Sequence, residues 1–257
     1  MGENFRLLIN SMPKSGTHLL IKTIELLGYQ NFLNNLFKKV LSKLGLWVPS
    51  SLIYESVNRN IAFLIHRRRN YETSVYIGIM SPIAVPYSLA KKWLQGINHG
   101  FYIAGHIPYT ERFKDLLSEL NFKHILIIRD PRDVIVSMAH YMARPEHSAS
   151  KSFKRLSFED RVRFLMDGGV LDNRHFIGFK EAYKKALQWN ETDCLIVRFE
   201  DIVGFRGGGT DEEQMKTVYR IAEYLGKSED NLVRSACKNL YDPSSPTFRR
   251  GQVGAWK

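Results

Sequence analysis

The run Leu7-Leu8-Ile9-Asn10-Ser11-Met12-Pro13-Lys14-Ser15-Gly16-Thr17-His18-Leu19-Leu20 concentrates residue types that can hold a phosphate. Its apolar start reads as a short buried strand, and a helix follows after a tight loop. Such a loop points backbone N–H groups at a helix N-terminus, where the partial positive charge favours an anion. Gly16 lets the backbone approach a ligand, Ser15 and Thr17 add hydroxyls, and Lys14 adds a full charge. The order is not G-x-x-x-x-G-K-[ST], because the lysine comes before Gly16 and no glycine opens the loop. Lys14 therefore belongs to the strand side of the loop.

Three further stretches carry polar groups that suit an anionic ligand. In His124-Ile125-Leu126-Ile127-Ile128-Arg129-Asp130-Pro131-Arg132-Asp133, an apolar run reads as a buried parallel strand. Asp130 fits an N-cap and Pro131 a first helical residue. Arg129 at the strand end and Ser137 two turns into the helix can then face one ligand, and an arginine fork matches two phosphate oxygens. Arg198-Phe199-Glu200-Asp201 follows another apolar run, Cys194–Val197, and the chain closes on Phe248-Arg249-Arg250-Gly251-Gln252-Val253-Gly254-Ala255-Trp256-Lys257. His106, in Gly-His-Ile-Pro after the stretch Phe101–Gly105, is a candidate general base, since a neutral imidazole near pH 7 suits that work.

Taken together, in this order and across nearly the whole chain, these segments resemble the sulfotransferases that use 3′-phosphoadenosine 5′-phosphosulfate (PAPS) and release PAP. Pro-Lys-Ser-Gly-Thr resembles their 5′-phosphosulfate loop, which implies Lys14, Ser15, Gly16, Thr17 and His18 around the 5′-phosphate, with Lys14 also stabilising the oxygen that leaves sulfur. Arg129 and Ser137 stand where the family holds the 3′-phosphate. Arg249, Arg250 and Gly251 resemble the R-K-G of R-K-G-x-x-G-x-W-K, which closes over the same phosphate. Phe199 takes the place of a tyrosine near the adenine and would contact it by stacking. Gly-His-Ile-Pro resembles Thr-His-Leu-Pro, where the histidine takes the acceptor proton. The chain departs from the family pattern at Ala104, where a lysine is frequent, and a helper lysine would have to come from elsewhere, for example Lys91 or Lys92. The resemblance implies no metal.

The elements that must position these residues follow from the periodicity. Strands are expected at 6–11, 101–105, 124–128 and 194–199. Helices are expected at about 16–28, 86–98, 110–120, 132–142, 157–167 and 178–190. Thr210 with Glu213 forms a capping box for a helix reaching about 225, Gly226 stops it, and another runs from Ser228 to Leu240. Amphipathic helical patterns also occur at 34–45 and 52–65, and 144–156 reads as a polar loop. Strands alternating with helices imply an α/β fold. The expectation is a parallel sheet flanked by helices, of the P-loop-NTPase-like sulfotransferase kind, in a single domain over 1–257 with the site at the C-terminal strand ends.

Composition is that of an ordinary globular domain: 257 residues, 44% hydrophobic and 25% charged. The excess of 37 basic over 26 acidic residues, a net +11, favours polyanionic ligands, yet no nucleic-acid-binding module is present. Cys194 and Cys237 give neither a disulfide framework nor a metal spacing. No run of about 18 apolar residues and no signal-peptide pattern appear, so a cytoplasmic protein is expected. The acceptor is expected to be a hydroxyl on a small molecule or on an acidic carrier protein. The basic segment 34–45 and Arg67-Arg68-Arg69 also allow contact with a membrane surface. Two other function classes stay open: a P-loop kinase of a small metabolite, and a non-catalytic polyanion-binding module.

Overall fold

Leu7, Leu8 and Ile9 are all fully buried, and their side chains divide between the two faces of one sheet. Leu7 and Ile9 join one apolar cluster and Leu8 another, so the strand is covered on both sides. The structure, a computed structural model, describes residues 5–32, 74–145, 147, 149–240 and 251–257. The helical patterns at 34–45 and 52–65, the triple arginine, Arg249 and Arg250 lie outside the described residues.

The chain begins with β1 (Arg6–Ser11), α1 (Thr17–Leu26) and β2 (Gln30–Asn31). A hairpin of β3 (Ser74–Ile77) and β4 (Ile83–Pro86) leads to α2 (Tyr87–Gln95), β5 (Phe101–Gly105), α3 (Glu111–Glu119), β6 (Phe122–Ile128) and α4 (Pro131–Tyr141). Then come α5 (Ser150–Phe153), α6 (Phe158–Asp167), the hairpin β7 (Gly168–Leu171) and β8 (Arg174–Ile177), and α7 (Phe179–Leu187). The last elements are β9 (Leu195–Arg198), α8 (Phe199–Ile202), α9 (Asp211–Tyr224) and α10 (Asp230–Asn239).

The main sheet has five strands in the order β2-β5-β1-β6-β9, and every pairing in it is parallel. Register is set by the buried faces. Leu7 pairs with Tyr102, and Ile9 with Ile125, on the face packed by α1, α9 and α10. Leu8 pairs with Ile103 and with His124, on the face packed by α2, α3 and Trp189. A third cluster, around Met12, Val134, Met138 and Phe179, sits where β1 ends and α4 begins.

The expected strand at 194–199 is shorter, because Phe199 already begins α8. The polar stretch 144–156 contains the short α5. Two hairpins and β2 were not foreseen. Their strands run to four residues or fewer, too short for an alternation to stand out. The β7–β8 turn did carry a signal: Asp172 and Asn173 both take positive φ, as a two-residue hairpin loop requires.

Candidate active site

Asn10 is almost fully buried at the end of β1, a polar residue at the close of an apolar strand. Its Oδ1 accepts from Ser11 N at 2.9 Å and from Ile107 N at 2.8 Å, and its Nδ2 donates to Ile107 O at 3.0 Å. Trp189 Nε1 donates to the same carbonyl at 3.0 Å. These bonds stitch the segment after β5 to the end of β1, which sets His106 against Ser11. His106 Nδ1 lies 2.9 Å from Ser11 O and 3.1 Å from Ser11 Oγ. A carbonyl oxygen can accept but not donate, so Nδ1 carries the proton and Nε2 the lone pair. Burial lowers the His106 pKa, the hydrogen bond to Ser11 O partly opposes this, and the Lys14 charge adds to the lowering. The net effect favours the neutral ring.

The loop between β1 and α1 closes with Ser15 N donating to Met12 O at 3.1 Å. Lys14 takes φ 70°, and Gly16, the N-cap of α1, takes φ 101°. A Cβ on Gly16 would lie 2.6 Å from Phe199 Cδ2, so both the conformation and the space demand glycine. The first turn of α1 holds no acidic side chain, and no side chain caps its N–H groups. Ser15 Oγ is buried and, among the described residues, has no hydrogen-bond partner. Thr17 Oγ1 lies 2.7 Å from Ser11 Oγ. His18 is brought down to about 4, chiefly by burial and then by the charges of Lys14 and His106. Lys14 Nζ sits 4.4 Å from the centroid of the Tyr141 ring.

Arg129 leaves the end of β6 toward this loop. Its Nη1 donates to Lys14 O at 3.4 Å and its Nη2 to Gln252 O at 2.8 Å. The guanidinium carbon lies 4.3 Å from the Phe199 centroid, and Nη2 is 3.3 Å from the buried carboxylate of Asp133. Arg129 Nε is buried with no partner among the described residues. Asp133 in turn accepts from Gly254 N and Trp256 N, both at 2.9 Å, and Arg132 stacks on Trp256 at 4.0 Å. The C-terminal segment 251–257 is thus held onto the start of α4. The expected N-cap is present as well, with Asp130 Oδ1 accepting from Arg132 N at 2.9 Å.

A phosphate-bearing nucleotide fits these residues. Ser15 Oγ and Arg129 Nε are buried donors with no partner among the described residues, and the N-terminus of α1 has neither a side-chain cap nor an acidic residue in its first turn. The sequence profile of the sulfotransferase domain matches residues 5–257. The chain belongs to the sulfotransferase family. Solved structures agree in fold. A mouse sulfotransferase, SULT7A1, complexed with PAP is 19% identical with a TM-score of 0.55, over 98% of this chain and 77% of that one. Retinol dehydratase with androsterone and inactive cofactor PAP is 15% identical with a TM-score of 0.54, over 98% and 74%. The same enzyme with retinol and PAP is 16% identical at 0.54, over 100% and 76%. No curated protein sequence matches.

In this sulfotransferase the structure brings Lys14, Ser15, Gly16, Thr17 and His18 together with His106, Arg129 and Phe199. Gly251, at φ 58°, opens the segment that meets Arg129. Ser137 is buried on α4, two turns beyond Arg129. Phe199 is also buried, and its ring is occupied by Gly16 and Arg129. Lys91 is paired with Glu119 on α3, at the outer surface. The reading of the sequence missed Asn10 and Asp133. Both had a signal: each is a polar residue in a stretch whose periodicity demands burial. Among the described residues no group of three or more His, Cys, Asp or Glu could hold a metal, and no helix is long and apolar enough to cross a membrane.

Proposed function

We propose that this sulfotransferase moves the sulfuryl group of PAPS to the hydroxyl of an apolar small molecule, with His106 as general base and Lys14 as the electrostatic catalyst. The observation that carries this reading is the bond from His106 Nδ1 to Ser11 O, which leaves the lone pair on Nε2 of a ring held against the end of β1, where the phosphate loop begins. When bound, PAPS supplies a sulfuryl group already activated by its link to a phosphate. His106 Nε2 takes the proton of the acceptor hydroxyl as that oxygen bonds to sulfur. With PAPS bound, the Lys14 ammonium would stabilise the negative charge that develops on the leaving oxygen as the sulfur–oxygen bond to the 5′-phosphate breaks. Ser15, Gly16, Thr17 and the N–H of His18 hold the 5′-phosphate. Arg129, Ser137 and the Arg249-Arg250-Gly251 segment hold the 3′-phosphate, and Phe199 backs Arg129. No residue in this scheme requires a metal ion.

An apolar alcohol is favoured because the loop adjoins a buried apolar cluster in which Met12 packs with Met80, Met138 and Met142, pliable side chains that adapt to an apolar neighbour. Androsterone and retinol, held by a structure of the same fold, are of that kind. The two free thiols, Cys194 and Cys237, suit the cytoplasmic setting that belongs to the same proposal.

Calorimetric titration with PAP, against ATP–Mg²⁺ and 5′-AMP, tests the nucleotide. The expected result is metal-independent binding of PAP that collapses in Arg129→Ala. Preference for ATP–Mg²⁺ would return the chain to the kinase reading. A panel of alcohols with labelled PAPS then tests the acceptor.

A further inference from the structure

Two hydroxyls lie end to end between the base and the phosphate loop. His106 Nδ1 is 3.1 Å from Ser11 Oγ, and Ser11 Oγ is 2.7 Å from Thr17 Oγ1. Ser11 is fully buried at the last position of β1, and Thr17 is the first residue of α1. Each hydroxyl owns one proton, so the chain has a direction, and that direction is a matter of which oxygen donates.

An anion in the loop settles the direction. It draws the Thr17 hydroxyl proton to itself, which leaves Thr17 Oγ1 able only to accept. Ser11 must then donate to Thr17, and the Ser11 lone pairs turn toward His106 Nδ1–H. All the bonds now point from the imidazole to the anion, and hydrogen bonds in line polarise one another. The Nδ1–H bond acquires a second acceptor beside Ser11 O, which favours the protonated ring. With the loop empty, Thr17 is at liberty to donate to Ser11, and the Ser11 proton then opposes Nδ1–H.

Resting on the assignment of residues 12–18 to the 5′-phosphate, we propose that Ser11 and Thr17 are positioning residues that form a hydroxyl relay through which the bound 5′-phosphate strengthens His106 as a base. No proton is transferred along the relay; each hydroxyl only reorients. The base is then poised when the nucleotide is in place, and weaker when it is absent. The titratable groups that face His106 are Lys14, from the loop, and His18, from α1; a positive charge on either opposes the relay.

The test is an NMR titration of the His106 ring nitrogens in the full chain, with and without saturating PAP, assigned by loss of the signals in His106→Gln. PAP is expected to raise the His106 midpoint by about one pH unit in the parent protein. In Ser11→Ala, and independently in Thr17→Val, that rise is expected to fall to roughly half, the remainder being the direct field of the phosphate. Ser11→Thr keeps the hydroxyl and is expected to restore the full rise. Should Ser11→Ala fail to fold, Thr17→Val gives the same reading from a half-buried position. An equal rise in all the variants overturns the relay while leaving the PAP site intact. If PAP fails to bind the parent protein, the loop assignment falls and takes the relay with it.

Discussion

The two sides of the site are built from opposite materials. Around His106 the hydrogen-bonding groups are uncharged: the carbonyl and hydroxyl of Ser11 on its ring, Thr17 behind that hydroxyl, and the Asn10 amide that ties Ile107 to β1. Around Arg129 they are ionic and stacked: Asp133 at 3.3 Å, Phe199 under the guanidinium, and Arg132 between Asp130 and Trp256. A base that must be neutral near pH 7 is best held by groups that carry no charge, because a carboxylate beside it would raise its pKa and keep it protonated. An arginine proposed to meet a phosphate needs a fixed orientation, and the buried Asp133 carboxylate 3.3 Å from its Nη2, with Phe199 under the guanidinium, supplies it. Lys14 joins the two sides, giving its carbonyl to Arg129 and its ammonium to the face of Tyr141.

This contrast is broken most directly by removing one side's chemistry. His106→Gln is expected to lower kcat by roughly 10²- to 10⁴-fold with PAP affinity nearly unchanged. Lys14→Ala is expected to cost about 10²- to 10³-fold in kcat. Arg129→Ala is expected to behave the other way, weakening PAP by roughly 10- to 100-fold while kcat at saturating PAPS stays within several-fold. Initial rates and calorimetry on the same preparations read both quantities. If His106→Gln loses PAP binding, or Arg129→Ala loses kcat at saturation, the two sides are not separable as described.

Asp133→Asn sharpens the ionic half. It removes the carboxylate paired with the buried Arg129 charge, leaving only the more distant Glu200 and Asp130, and Asp133 also ties down Gly254 and Trp256. A loss of about 3 kcal/mol of stability is expected, with faster amide exchange across 252–257. Unchanged exchange there would mean that the segment is held by something else. Gly16→Ala comes next in size. The new methyl meets Phe199 at 2.6 Å, at a φ of 101° that alanine adopts at a cost. A loss of about 1–3 kcal/mol is expected, read as a lowered urea midpoint. Gly16→Ala with Phe199→Ala relieves the contact but not the φ, so any recovery measures the contact alone.

Much of this was legible in the sequence because the relevant signals are local. The four longer strands of the sheet announce themselves as apolar runs, and Asp130, Thr210 and Gly226 punctuate helices by their own chemistry. The loop 12–18 reads as a phosphate site because its donors are adjacent in the chain. What was not legible is contact across the sheet. Nothing in the order of residues says that Asn10 grips Ile107, that Phe199 lies against Gly16, or that Asp133 holds Trp256. Each of these pairs is separated by about a hundred residues or more; the first two come from the parallel sheet, and the third from the C-terminal segment folding back onto α4. The residues proposed for the chemistry carry local signals; those that hold them in place do not.

The smallest expected effect concerns a second imidazole on the uncharged side. His124 is buried on β6, its ring edge-on to Trp189 at 4.5 Å, and Trp189 is the residue that holds the Ile107 carbonyl. Its Nε2 has no partner among the described residues, and burial drives its pKa down to about 3. The folded protein therefore refuses a proton that the unfolded chain accepts below about 6.5. Stability must fall as pH drops from 6.5 toward 3, by about 1.4 kcal/mol per pH unit for this one group. His18 and His106, also lowered, add to the same slope, so the comparison has to be with a variant. His124→Leu keeps an apolar side chain against Trp189 and removes the orphaned nitrogen. It is expected to gain about 1 kcal/mol at pH 7 and to lose stability more slowly than the parent between pH 6.5 and 4.5. Urea midpoints at the three pH values measure this. Parallel slopes would show that His124 takes up its proton in the folded state. The packing behind His106 would then tolerate a charge, and the neutrality of that side of the site would need another cause.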